Sequence, residues 1–118
     1  MSDVVIDVKV FNEVRDLMGD ALPEFIATYL GNSPCLLGNI DEALQAADLQ
    51  NVFLNAHQLK GGSGSIGAMQ VYQLAMQLEQ QARGGEADIA TLQPIYQQLQ
   101  LAYDSAAAEL TAQLPAMQ

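Results

Sequence analysis

Apolar residues recur along this chain at steps of three and four, the spacing that gathers them on one side of a helix. Four stretches show the pattern at length. The first to reach helical size is preceded by a β-branched run, Val4, Val5, Ile6, Val8 and Val10, with no later segment to pair with as a strand, so it reads as a lead-in. Asp7 can cap a short first helix with Val10, Phe11, Val14, Leu17 and Met18 on its apolar side. Gly19 breaks that helix, and Asp20 is placed to start the next.

The second stretch is long: Leu22, Phe25, Ile26, Tyr29, Leu36, Leu37, Ile40, Leu44 and Ala47. Pro34 falls inside it, which normally ends or kinks a helix by crowding residue i−4, here Leu30. The apolar phase nevertheless continues across the proline, which predicts one bent helix rather than two. Asp48 offers an N-cap for a third helix running through His57 into a glycine-rich segment. A fourth helix follows Gly67 with Val71, Leu74, Ala75, Leu78 and Ala82 inward, and stops at Gly84-Gly85. A fifth spans about Asp88 to Leu114, with Leu92, Ile95, Leu99, Ala106 and Leu110 inward and Pro94 in its first turns. Short connections make neighbours antiparallel, so the expected fold is all-α: an up-and-down four-helix bundle with a short extra N-terminal helix, as one domain over residues 1–118.

Composition narrows the function classes. Four basic residues against fourteen acidic ones give a net charge of −10, a poor match to nucleic-acid phosphates or anionic lipid. No stretch is apolar enough for a membrane span, and no basic-plus-apolar leader is seen, so the expectation is a cytoplasmic protein. Polar outer faces point to a monomer. The single Cys35 excludes an internal disulfide, and with one His there is no metal site of the Cys/His type. Packing in the interior is the default expectation for Cys35.

The third helix departs from a plain bundle pattern. With His57 set at zero on a helical wheel, Leu49, Val52, Ala56, Leu59, Ser63 and Ile66 cluster about 130° away as the buried stripe. His57 therefore points outward, and Gln50, Phe53, Leu54, Lys60, Gly61 and Gly64 share its side. Two features stand out: apolar bulk at Phe53 and Leu54 before the histidine, and missing side chains after it. Each glycine costs about 1 kcal/mol against alanine inside a helix. Either the helix ends at Lys60 in a loop, or a partner must approach the backbone beside His57. Ser63 and Ile66 keep the buried phase, which favours a helix continuing through the glycines.

Gly62-Ser63-Gly64-Ser65-Ile66-Gly67 also spells the dinucleotide-binding letters, but that motif works between a strand and a helix, and here a helix precedes it. A phosphate-binding loop fails as well, because Lys60 comes before the glycines. An outward imidazole, largely neutral at cell pH, is a nucleophile for a reactive phosphoryl or acyl group. Lys60, three residues on, can neutralise a transferred phosphoryl group. On the fourth helix Glu79 lies about 80° from the apolar centre, at the edge of the buried stripe. There it is either a solvated flank charge or a carboxylate that accepts the His57 Nδ1–H and fixes the ring.

His57-Gln58-Leu59-Lys60-Gly61-Gly62, followed by Gly67, resembles the His-x-Leu-Lys-Gly signature of histidine-containing phosphotransfer (HPt) domains. Leu78-Glu79 is similar to the Leu-Glu pair of that family's next helix, and Ala56 to its small residue before the His. The resemblance covers about residues 10–110. It implies a phosphorelay intermediate that is a carrier and not a kinase. His57 would be the phosphoacceptor, Lys60 would stabilise the phosphoryl charge, and Glu79 would orient the ring. Phe53, Leu54, Gly61 and Gly64 would form the docking surface. The implied partners are the receiver domain of a hybrid sensor histidine kinase and a downstream response regulator. No intrinsic cofactor is implied, with Mg²⁺ supplied by the partner's receiver. The competing readings are a helical adaptor that binds a kinase or regulator without carrying phosphate, and the phosphoacceptor domain of a chemotaxis-type kinase.

Overall fold

A computed structural model describes residues 6–117, with side chains through residue 114. The described residues form five α-helices: α1 (Val8–Met18), α2 (Leu22–Gln45), α3 (Leu49–Ile66), α4 (Met69–Arg83) and α5 (Ile89–Met117). The four longer ones make the antiparallel bundle, with α3 and α4 the most extensively packed pair and α2 and α5 completing it. Helix α1 is the short N-terminal addition, resting mainly on α3. Val4 and Val5 of the expected lead-in lie outside the described residues; Ile6 packs on the core.

Helix ends follow local chemistry. The Asp7 carboxylate accepts the Val10 N–H at 3.1 Å and starts α1. Gly19, at φ 53°, stops it. Asp20 does not start α2, contrary to expectation. Residues Gly19–Ala21 form one 3₁₀ turn, and α2 begins after Ala21 without a side-chain cap. Pro23 in its first turn replaces one of the N–H groups that would otherwise lack a partner. Helix α2 runs unbroken through Pro34 because Ile26, Tyr29, Leu37, Ile40 and Leu44 are all buried across it. Asp48 caps α3, accepting the Asn51 N–H at 3.2 Å. Helix α3 continues through the glycines and ends at Gly67, whose left-handed φ of 86° suits a residue without Cβ. A methyl there would also lie 3.2 Å from the Asp7 carbonyl oxygen. That close approach exists because Asp7 N–H donates to the Gly67 carbonyl at 2.7 Å, clipping the start of α1 to the α3–α4 turn.

The core draws on all five helices, among them Phe11, Ile26, Ile40, Val52, Leu59, Leu78, Leu92, Leu99 and Leu110. Three expectations about it need correction. Leu17 is 86% exposed on the outer side of α1, while Phe11 fills the inward position. Ala47 belongs to the exposed α2–α3 turn, with φ 53°, rather than to the stripe of α2. Cys35 is exposed, not packed inside. One buried polar contact ties two helices together: the hydroxyls of Tyr29 on α2 and Ser63 on α3 are 2.7 Å apart, and the Ser33 hydroxyl donates to the Tyr29 carbonyl at 2.7 Å. Tyr29, read from sequence only as an apolar position, thus reaches α3 with its polar end.

Candidate functional site

The wheel places His57 outward, and the structure agrees: its side chain is 61% exposed. Helix α4 runs antiparallel beside α3 and brings Glu79 to it. Glu79 is the one buried carboxylate among the described residues, with its side chain 2% exposed. It is therefore not a solvated flank charge. Its two oxygens are divided between two side chains of α3: Oε2 contacts His57 Nδ1, and Oε1 meets Lys60 Nζ at 2.7 Å. Burial alone would push the Glu79 carboxyl up. The hydrogen bonds from Lys60 and His57, with their charges, outweigh it and hold the group below its usual range.

That balance fixes the histidine's chemistry. An ionised carboxylate can only accept, so Nδ1 carries the proton and donates it. The lone pair then sits on Nε2, away from Glu79, in the direction of solvent.

Lys60, three residues on, is 23% exposed, and its ammonium pairs with Glu79, so it balances the buried carboxylate beside the histidine.

The glycines separate into distinct cases. Beside His57, Gly61 is exposed, and a Cβ built there meets nothing within 4 Å. No internal contact demands a glycine at that position. Gly62 accommodates the Tyr29 ring, 3.4 Å from such a Cβ. Gly64, expected to serve a docking partner, is instead covered by the molecule itself: a Cβ would lie 2.9 Å from Cδ1 of Tyr72 on α4. The bare ridge is thus a single open position, Gly61.

Of the expected apolar docking pair, Leu54 is 45% exposed, but Phe53 is half-buried and packs against the core. Its ring lies nearly parallel to His57, with centroids 6.1 Å apart and planes 17° from each other. Arg83 of α4 places its guanidinium carbon 5.7 Å from the Phe53 centroid. Arg83, like Tyr72, is a residue that sequence reasoning missed. Its signal was available: Glu79 and Arg83 are one turn apart on α4, as Phe53 and His57 are on α3.

A profile of the Hpt domain family matches residues 24–114. The chain belongs to the Hpt domain family. This Hpt chain is 36% identical over 84 residues to histidine-containing phosphotransfer protein 4 of Arabidopsis thaliana, covering 66% of each. It is 30% identical over 94 residues to histidine-containing phosphotransfer protein 2 of the same plant, covering 72% of this chain and 60% of that one. Sensor protein TorS of Escherichia coli strain K12 matches at 36% over 81 residues, 68% of this chain but 9% of TorS. The Hpt chain therefore spans about two thirds or less of these relatives. In three dimensions it is similar to the crystal structure of histidine-containing phosphotransfer protein B of Pseudomonas aeruginosa PAO1, with a TM-score of 0.90 at 26% identity, covering 98% of each chain. No helix among the described residues is long and apolar enough to cross a membrane.

Proposed function

We propose that this Hpt chain is a phosphorelay intermediate: His57 takes a phosphoryl group from the aspartyl phosphate of one receiver domain and gives it to the aspartate of another. The observation that carries the reading is the exposed His57 ring whose Nδ1 is held by the buried Glu79, leaving Nε2 as the free nucleophile. In the forward step the Nε2 lone pair attacks phosphorus, the Nε2–P bond forms, and the P–O bond to the receiver's carboxylate breaks. The imidazole becomes cationic while Nδ1 keeps its proton, and the Glu79 carboxylate stabilises that charge. Lys60 keeps Glu79 ionised and adds positive charge at the same spot. The return step is the same geometry run backwards.

Phosphoryl transfer of this kind is mainly positioning and charge neutralisation, so a carrier needs little machinery. Mg²⁺ would be supplied by the receiver, whose acidic pocket would hold it. Gly61 gives the receiver its closest approach, with Leu54 as apolar contact beside it. The proposed partners are the receiver of a hybrid sensor histidine kinase and a response regulator, and the TorS relative supports a two-component setting.

The test charges purified receiver domains with labelled acetyl phosphate and adds the chain. Label moves to wild type and not to His57→Gln, and Gly61→Arg blocks the transfer while circular dichroism keeps its helical signal. Binding of receivers with no transfer from any of them would instead favour an adaptor.

A further inference from the structure

The Nδ1–Glu79 bond anchors the His57 ring at one edge, but one hydrogen bond does not fix a plane. The ring turns about the Cα–Cβ and Cβ–Cγ bonds, and a single contact at Nδ1 leaves concerted motion about the two free to swing Nε2 out of line with phosphorus. The nearly parallel Phe53 ring, its centroid 6.1 Å from that of His57, is the aromatic neighbour that limits this swing, one turn before His57 on the same helix. Phe53 is itself held from two sides, by the core beneath it and by the Arg83 guanidinium from α4. The register of the two helices makes this possible. One turn up α3 from Phe53 is His57, and one turn down α4 from Arg83 is Glu79. Continuing along both helices, Gly64 and Tyr72 meet in the same way.

Arg83 has no carboxylate within ion-pair distance among the described residues, so Glu79 uses Lys60 and leaves this cation to the aromatic ring. Four basic residues are present in the chain, and two of them, Lys60 and Arg83, are spent on this seam.

We propose that Phe53 is a positioning residue for His57, clamped by Arg83, and that the pair sets the plane in which Nε2 is presented. Exposed apolar bulk for docking is then the task of Leu54 rather than Phe53. This rests on the phosphocarrier reading above.

The test uses phosphoramidate, a small phosphoryl donor that needs no docking surface: its P–N bond breaks, ammonia leaves and the Nε2–P bond forms. Wild type acquires phosphate at His57, and failure of wild type to do so would count against the carrier reading itself. Phe53→Leu, which keeps apolar bulk and removes the flat face, slows the reaction about tenfold, because small misplacements of a reacting atom are costly. Phe53→Tyr restores the rate. Arg83→Gln slows it in the same direction and Arg83→Lys recovers part of the loss. Side-chain NMR of His57 in the unphosphorylated chain reports the same change, as the ring-current shift from Phe53 disappears in the Leu variant and returns in the Tyr variant. A Phe53→Leu protein that reacts with phosphoramidate as fast as wild type, yet loses transfer from receivers, would overturn the proposal and make Phe53 a docking residue.

Discussion

Gly61 and Gly64 lie three residues apart on α3, and their alanine variants separate two reasons for a helical glycine. Both substitutions remove the penalty of glycine in a helix, a gain of about 1 kcal/mol. At Gly61 nothing opposes it, since the added Cβ has no neighbour within 4 Å. Gly61→Ala is therefore expected to stabilise the chain by about 1 kcal/mol, or roughly 4 °C in melting temperature for a domain of this size. At Gly64 the added carbon would stand 2.9 Å from Cδ1 and 3.2 Å from Cε1 of Tyr72. A half-buried ring must shift to admit it, and overpacking of this sort costs about 1–3 kcal/mol. Gly64→Ala is thus expected to be between neutral and about 2 kcal/mol less stable than wild type. The gap between the two variants, about 1–3 kcal/mol, measures the Tyr72 contact free of helix propensity. Urea melts of both proteins, with unchanged slopes, read it directly. In a Tyr72→Ala background the Gly64→Ala penalty should vanish. Equal stabilities for the two single variants, or a destabilised Gly61→Ala, would refute the packing argument. Transfer assays complete the contrast, because the more stable Gly61→Ala should be the slower acceptor from a receiver.

Glu79→Gln retains an acceptor for the Nδ1–H but loses its charge; the difference between a charge-assisted and a neutral hydrogen bond is about 1–1.5 kcal/mol, so transfer at saturating donor should slow about tenfold. Because the fold holds the Glu79 carboxyl below its ordinary 4.5, its contribution to stability is present above that pH and is lost as pH falls through the lowered value. Acid unfolding curves of Glu79→Gln should lack this portion. Burial pushes the Tyr29 hydroxyl up to about 12, so the unfolded chain loses its proton near 10 while the folded chain keeps it. Stability should fall by about 3 kcal/mol as pH rises across that window, and Tyr29→Phe should flatten the alkaline limb without abolishing it, since Tyr103 is raised too. Gly67→Ala, forced to φ 86° against the Asp7 carbonyl, should cost about 2 kcal/mol and speed exchange of the Asp7 amide, measurable by thermal melts and hydrogen exchange.

Periodicity carried the bundle because the apolar phase is a property of whole helices. It ran across Pro34 and across the glycines of α3, and in both places burial outweighed local breakers. Local signals did less well where tertiary contacts decide. Asp20 looks like a cap, yet the chain takes a 3₁₀ turn there, and Leu17 faces water although it fits the apolar side of a short helix. At the site, the wheel located His57 and put Glu79 at the edge of the α4 stripe, but one helix cannot show what the next one buries. Burial of Glu79 goes with two partners from α3, the His57 Nδ1–H and the Lys60 ammonium. The role of Gly64 needed Tyr72, and the setting of Phe53 needed Arg83; each answer comes from α4 while each question is posed by α3.

The matched spacing along α3 and α4 has an evolutionary consequence. Phe53, His57 and Gly64 meet Arg83, Glu79 and Tyr72 in register, and the two helices are joined by only Gly67 and Ala68. A single codon inserted within either helix between these points would rotate one set of side chains by about 100° and uncouple it from the other. An insertion after Gly84 would leave every pairing untouched. Residues 53–83 therefore form a cassette whose length is as constrained by its pairings as its side chains are, whereas the turn after Gly84 can change length without disturbing them.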